Sequence, residues 1–178
     1  MFGRGGVMAE PDRLLIQHEE FEGGRFTLVG RYGGGNQFMA FGTGAFPVDW
    51  HIGKYSPEYL RTRWAEHKRW YAVLHRFDPD GNHLGTEARL GGTTAGGRDE
   101  AFERVDEELA GLLESLGPVE LCDIRVRPFG VEIDGYFFGL VYTATSADDP
   151  DDPGNEYVML EPNGIMFHPP WDTGNYST

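Results

Sequence analysis

Three histidines, His67, His75 and His83, recur at intervals of eight residues. Imidazoles repeated along a chain are candidates for metal ligation or proton transfer, since histidine is the commonest metal ligand and titrates near neutral pH. Hairpin geometry tests the idea. Asp78-Pro79-Asp80-Gly81 reads as a turn, because Pro presets φ and Gly accepts the left-handed region. With Pro79-Asp80 as a two-residue loop, Phe77 faces Asn82 and Arg76 faces His83. His83 then lies on the sheet face opposite His75, and no shared metal fits. A three- or five-residue loop slips the register by one and brings both onto one face. His75 shares parity with Tyr71, Val73 and Phe77, the pattern of a hydrogen-bonded histidine in a core; the functional alternative is a ligand-binding group.

Arg125 and Arg127 alternate along a predicted strand and so project from one face. With His75 they form a candidate binding site for an anionic ligand, since guanidinium groups grip carboxylate and phosphate oxygens. The competing reading is cross-strand ion pairing with Asp123, Glu132 or Asp134. Asp148, Asp149, Asp151 and Asp152, interleaved with Pro150 and Pro153, form an acidic loop that suits contact with a basic partner. It lacks the spacing of a twelve-residue calcium loop, so no metal or cofactor is expected. Trp171 and Asp172 follow Pro169-Pro170 and either dock back on the body or anchor a partner. Cys122, in a predicted strand with Ile124 and Val126 on its face, reads as a small buried hydrophobe rather than a nucleophile. The sequence contains no Gly-x-Ser-x-Gly elbow, P-loop or His-Glu-x-x-His helix, and its glycine clusters lack the spacing of a dinucleotide fingerprint.

The elements that must position these groups follow from pattern. Residues 1–24 mix glycine and charge without a sustained period and read as a flexible leader, with a short edge strand near Leu14 to Gln17. Residues 25–178 read as one domain. Alternation predicts strands at Arg25 to Tyr32 and Gln37 to Thr43 around Gly33-Gly34-Gly35-Asn36, and Ser56-Pro57-Glu58 signals a short helix. Arg69 to Phe77, apolar on both parities, reads as an interior strand, with Asn82 to Leu90 returning antiparallel. Asp99 to Leu116 places Phe102, Val105, Leu109, Leu112, Leu113 and Leu116 at helical spacing, with acidic residues at its start and Gly117-Pro118 as its stop. Strands follow at Glu120 to Arg127, Val131 to Asp134, Tyr136 to Thr145, Glu156 to Leu160 and Ile165 to His168. The expectation is an α+β fold, a mostly antiparallel sheet of about eight short strands with one main amphipathic helix.

Composition narrows the function classes. The 178 residues carry 15 Lys+Arg against 29 Asp+Glu, a net charge of −14. Nucleic acid and anionic membranes are poor partners for such a chain, because phosphate neutralisation needs clustered cations and only two residues are lysine. Twelve Phe, eight Tyr and four Trp supply the apolar area that a disordered acidic chain lacks. A single cysteine excludes an intramolecular disulfide framework and a multi-cysteine zinc site. With no signal-peptide pattern and no apolar run of about 20 residues, the expected location is the cytoplasm.

Three segments carry a family resemblance: EHKRWYAVLHRFDPDG from Glu66 to Gly81, DIRVRPFGVEIDGYFFGLVY from Asp123 to Tyr142, and LEPNGIMFHPPWDTGNYST from Leu160 to Thr178. In order and spacing they resemble small bacterial formate hydrogenlyase regulatory proteins, over about Arg25 to Thr178. The resemblance implies a non-catalytic modulator that binds a transcriptional activator, and it supplies no catalytic motif.

Two function classes follow. One is a regulatory or adaptor protein that binds a basic protein through its acidic surface, with a close variant in an immunity protein or nucleic-acid mimic that neutralises a basic partner. The other is a small ligand-binding or enzymatic domain for an anionic ligand at His75, Arg125 and Arg127. Open sheet edges offer a homodimer contact that their charges oppose.

Overall fold

The structure, a computed structural model, describes residues 9–18, 27–146, 148 and 154–178. In chain order the elements are β1 (Leu14–Ile16), β2 (Thr27–Tyr32), β3 (Asn36–Ala45), α1 (Pro57–His67), β4 (Arg69–Phe77), β5 (His83–Thr93) and α2 (Arg98–Glu114). They continue with β6 (Val119–Leu121), β7 (Ile124–Val126), β8 (Phe129–Ile133), β9 (Tyr136–Ala144), β10 (Glu156–Glu161), β11 (Ile165–Phe167) and β12 (Tyr176–Ser177). The α+β expectation holds. Among the described residues, twelve strands and two helices replace the eight strands and one main helix read from pattern.

The strands form a front sheet in the order β5-β4-β3-β2-β6, a back sheet in the order β12-β11-β10-β9-β8, and a ribbon of β1 with β7. All pairings are antiparallel. Alternation along the strands divides the apolar residues between two cores. Val29, Met39, Phe41, Tyr71, Val73 and Phe77 of the front sheet meet Phe138, Leu140, Val158 and Leu160 of the back sheet, and the ribbon adds Leu14, Ile16, Ile124 and Val126. The opposite parity of the front sheet, Phe38, Ala40, Trp70, Ala72 and Leu74, packs against Ala101, Val105 and Leu112 of α2.

Glycine seats α2. A β-carbon on Gly91 would stand 2.6 Å from Val105 Cγ2 and 2.7 Å from the Ala101 carbonyl, and one on Gly42 would stand 2.9 Å from Val105 Cγ1. The helix therefore lies over β5, β4 and β3. Helix α1 is held differently. Ser56 caps it, its hydroxyl accepting from the Tyr59 amide at 3.2 Å, and none of its residues is buried. Rings do the docking: Trp50 stacks on Phe46 at 5.2 Å and lies 4.9 Å from His67, while Tyr55 stacks on Tyr59 at 4.7 Å.

Two sequence expectations change. The strand read from Glu120 to Arg127 is two strands, β6 on the front sheet and β7 on the ribbon, so Cys122 lies in the break between them and is only half-buried. Its amide donates to the Val29 carbonyl at 3.3 Å, one last bond to β2 before the chain leaves the sheet. The second change concerns the turn after β4, and it decides where His83 points.

Candidate functional site

The chain between β4 and β5 forms a five-residue loop, Asp78 to Asn82, with Phe77 paired to His83. Asp78 sets this length. Its carboxylate accepts from the Asp80 amide at 2.9 Å, the Asn82 amide at 2.8 Å and the Asn82 side-chain amide at 2.9 Å, while Gly81 takes φ of 89°. The two-residue loop is thereby corrected. Arg76 pairs with Gly85 and Phe77 with His83, so Leu84 is the extra residue of a bulge and stands 58% exposed. His83 shares the face of His75, as the longer loop requires.

The two histidines meet at a threonine. His75 Nδ1 lies 2.6 Å from Thr86 Oγ1, and His83 Nε2 lies 2.8 Å from the same oxygen. A hydroxyl has one proton to give, so Thr86 donates to one ring and accepts from the other. Phe129, arriving from β8 of the back sheet, stacks on His83 with centroids 4.2 Å apart and meets His75 edge to face at 4.8 Å. Phe41 and Phe77 complete the surround. His75 is fully buried, and burial with the neighbouring His83 ring lowers its pKa to about 3. Burial also pulls the pKa of the half-buried His83 below the ordinary value. The pair is therefore neutral at pH 7, with His75 Nε2 left without a hydrogen-bond partner.

His67 does not join them. It ends α1, before β4 begins; its ring shares a hydrogen bond with Tyr59 Oη at 2.9 Å, and its carbonyl accepts from the Tyr136 hydroxyl at 2.9 Å. Among the described residues no group of three or more His, Cys, Asp or Glu side chains is placed to hold a metal ion.

Arg125 and Arg127 fall on the ribbon and just beyond it. Arg125 is exposed, and its backbone is clasped by the buried side chain of Gln37: the Arg125 amide donates to Gln37 Oε1 at 2.8 Å, and Gln37 Nε2 donates to the Arg125 carbonyl at 3.0 Å. Arg127 pairs with Asp12, a partner that none of the sequence alternatives named. No hydrogen bond, ion pair or ring contact among the described residues joins either arginine to His75.

A cavity of about 610 Å³ lies elsewhere, between β3, the β10–β11 hairpin and β12, with Thr43, Lys68, Leu160, Ile165 and Phe167 among its walls. Its volume falls within the range of small-molecule sites. His75, Arg125 and Arg127 do not line it.

Of the acidic-loop candidates, Asp148 is exposed, whereas Asp149, Asp151 and Asp152 lie outside the described residues. Trp171 docks on the body: its ring stands 6.3 Å from that of Tyr142, and its carbonyl accepts from the Leu15 amide at 2.8 Å. Asp172 beside it is exposed.

A further acidic surface is the outer side of α2. Asp99, Glu100, Glu103, Asp106, Glu107 and Glu114 are exposed there and form no ion pair among the described residues. The two arginines of the helix are themselves exposed; Arg98 lies over the Phe102 ring of the same helix at 5.0 Å, and Arg104 donates to the Gly91 carbonyl at 3.4 Å. Glu108 is taken by Arg89 at 3.2 Å.

No family model matches the chain. The curated proteins and the solved structures likewise contain no match to it.

Proposed function

We propose that this chain is a non-catalytic cytoplasmic regulatory or adaptor protein that holds a basic protein partner through its acidic surface. The observation that carries the reading is the row of exposed carboxylates along α2 that form no ion pair among the described residues. Clustered like charge on a rigid helix raises the encounter rate with a cationic partner and discriminates against acidic ones. The resemblance to formate hydrogenlyase regulatory proteins points the same way and makes the partner a transcriptional activator. An immunity protein or nucleic-acid mimic would use the same surface on a nuclease or DNA-binding protein.

Co-purification with a tagged copy at low salt, read by mass spectrometry, tests the reading. A stoichiometric basic partner released by salt supports it, and the identity of that partner chooses between regulator and immunity protein. Retention of no protein at any salt concentration contradicts it. A second reading, a small ligand-binding domain for an anionic ligand, rests on the cavity and on Lys68 in its wall. A small molecule released on denaturing the eluate, with no protein partner, would favour it.

A further inference from the structure

Among the described residues the two five-stranded sheets end in four edge strands. Three are short: β6 has three residues, β8 five and β12 two. The fourth, β5, has eleven. Long edges are normally blunted by lysine, proline or a cover, because their outward amide and carbonyl groups pair readily with another strand. β5 contains neither lysine nor proline, and its Leu84 and Leu90 stand 58% and 50% exposed. Breaks of register at Leu84 and Gly91 bound a regular stretch, Gly85 to Leu90.

The hydrogen-bond pattern shows which groups of that stretch face outward. The Asp78 amide donates to the Asn82 carbonyl at 2.9 Å, which closes the β4–β5 hairpin on a bonded pair. Bonded and non-bonded pairs alternate along an antiparallel ladder. Counted back along β4, Asp78, Arg76, Leu74 and Ala72 bond across to β5, where the last three face Gly85, Glu87 and Arg89. Thr86, Ala88 and Leu90 therefore turn their amides and carbonyls away from β4, toward the open edge. Glu87 and Arg89 share one face of the strand, that of Leu74 and Ala72, and touch each other at 2.9 Å. Gly111 of α2 stands over Arg89, with no side chain to obstruct a strand arriving beside β5.

We propose that this edge binds the same edge of a second copy of the chain, β5 lying antiparallel to β5 about Ala88. In that register Ala88 faces Ala88 and Thr86 faces Leu90, each pair exchanging its outward amide and carbonyl bonds. Glu87 then faces Arg89 of the second copy, and Arg89 faces Glu87, in the non-bonded positions where α-carbons approach to about 4.5 Å. Each Glu87–Arg89 couple meets its reverse, and charge of alternating sign runs across the junction. Charge selects both the register and the occupant. Centring on Glu87 sets carboxylate against carboxylate, and centring on Arg89 sets guanidinium against guanidinium. Centring on Thr86 or Leu90 leaves both charges opposite neutral residues. A foreign strand satisfies the backbone alone, whereas a second copy brings the reversed charges by symmetry. The proposal goes beyond the regulatory reading and does not depend on it.

Sedimentation equilibrium of the intact chain, from about 1 µM to about 1 mM to cover a short, weak contact, reads the association, and amide exchange reads the site. A dimer is expected, with slower exchange of the Thr86, Ala88 and Leu90 amides as it forms. Glu87→Arg and Arg89→Glu, each alone, oppose like charges across the junction and are expected to weaken dimerisation at least ~10-fold; melting temperatures check their fold. Mixed, the two variants restore opposite charges at both positions, and a heterodimer of near wild-type strength is expected, an outcome that misfolded variants cannot give. Ala88→Pro removes an outward amide that β4 does not use and is expected to abolish the dimer. A monomer throughout the range overturns the proposal. So does a dimer that both charge variants leave unchanged, or a mixture no tighter than either variant alone. Protection of the three amides only when another protein is bound assigns the edge to a foreign strand and overturns it as well.

Discussion

Acid should unlock the fold at His75. The folded protein keeps this imidazole neutral down to about pH 3, whereas in the unfolded chain it protonates near 6.5. Between these values the unfolded state binds the proton that the folded state refuses, so stability falls as pH falls and levels off once pH passes below the folded pKa. For one such group, linkage gives a loss of about 2.5 kcal/mol between pH 7 and pH 4.5. Full burial of His75 means no discount for solvent screening. The assay is thermal unfolding of wild type and His75→Leu across that range. Asp49 and Asp78, held below the ordinary carboxylate range by Lys54 and Asn82, and Glu161, raised by burial, titrate in both proteins and cancel in the difference. The wild-type melting temperature should fall about 5–10 °C further than that of the variant. Parallel pH profiles for the two proteins would refute the claim that His75 is a neutral buried imidazole.

Removing the ring that covers His83 should return its pKa toward the ordinary value, because desolvation is the main cause of its depression; an NMR titration of His83 in Phe129→Ala checks this, and an unmoved midpoint contradicts it. Gln37→Leu strips the Arg125 amide and carbonyl of their side-chain partners and should cost about 2–4 kcal/mol, read as a lower urea midpoint with faster exchange of the Arg125 amide. Gly91→Ala forces a methyl against the Ala101 carbonyl and Val105 and should cost about 2 kcal/mol by overpacking, measured by urea unfolding; a neutral result would mean that α2 is not seated on this glycine.

Local pattern carried much of this architecture. The spacing of Val105, Leu109, Leu112 and Leu116 marked α2, Ser56-Pro57 marked the start of α1, and Asp134-Gly135, with φ of 51° and 81°, supplied the left-handed pair that joins β8 to β9. The shared parity of His75, Val73 and Phe77 was readable for the same reason, since a strand has period two. Long-range choices were not readable. Cys122 and Asp123 contain no glycine or proline, so nothing local shows the chain leaving one sheet for another. The face of His83 depended on how many hydrogen bonds the Asp78 carboxylate collects, which sets loop length. Thr86 had no motif to mark it; its place between two imidazoles comes from the bulge at Leu84. The acidic residues at the start of α2 were visible in the sequence, but the bond from Arg104 to the Gly91 carbonyl and the pairing of Glu108 with Arg89 are tertiary facts.

The claim that this chain works by holding a basic partner is tested most directly by parallel purification of tagged wild type and the tagged variant Asp99→Asn/Glu103→Gln/Asp106→Asn/Glu107→Gln at low salt, with retained proteins quantified by mass spectrometry. The account predicts one stoichiometric basic protein on the wild type, released near about 0.5 M salt as screening shortens the range of the charges, and absent from the variant. The same retained proteins on both forms, or a bound small molecule with no protein, would contradict it.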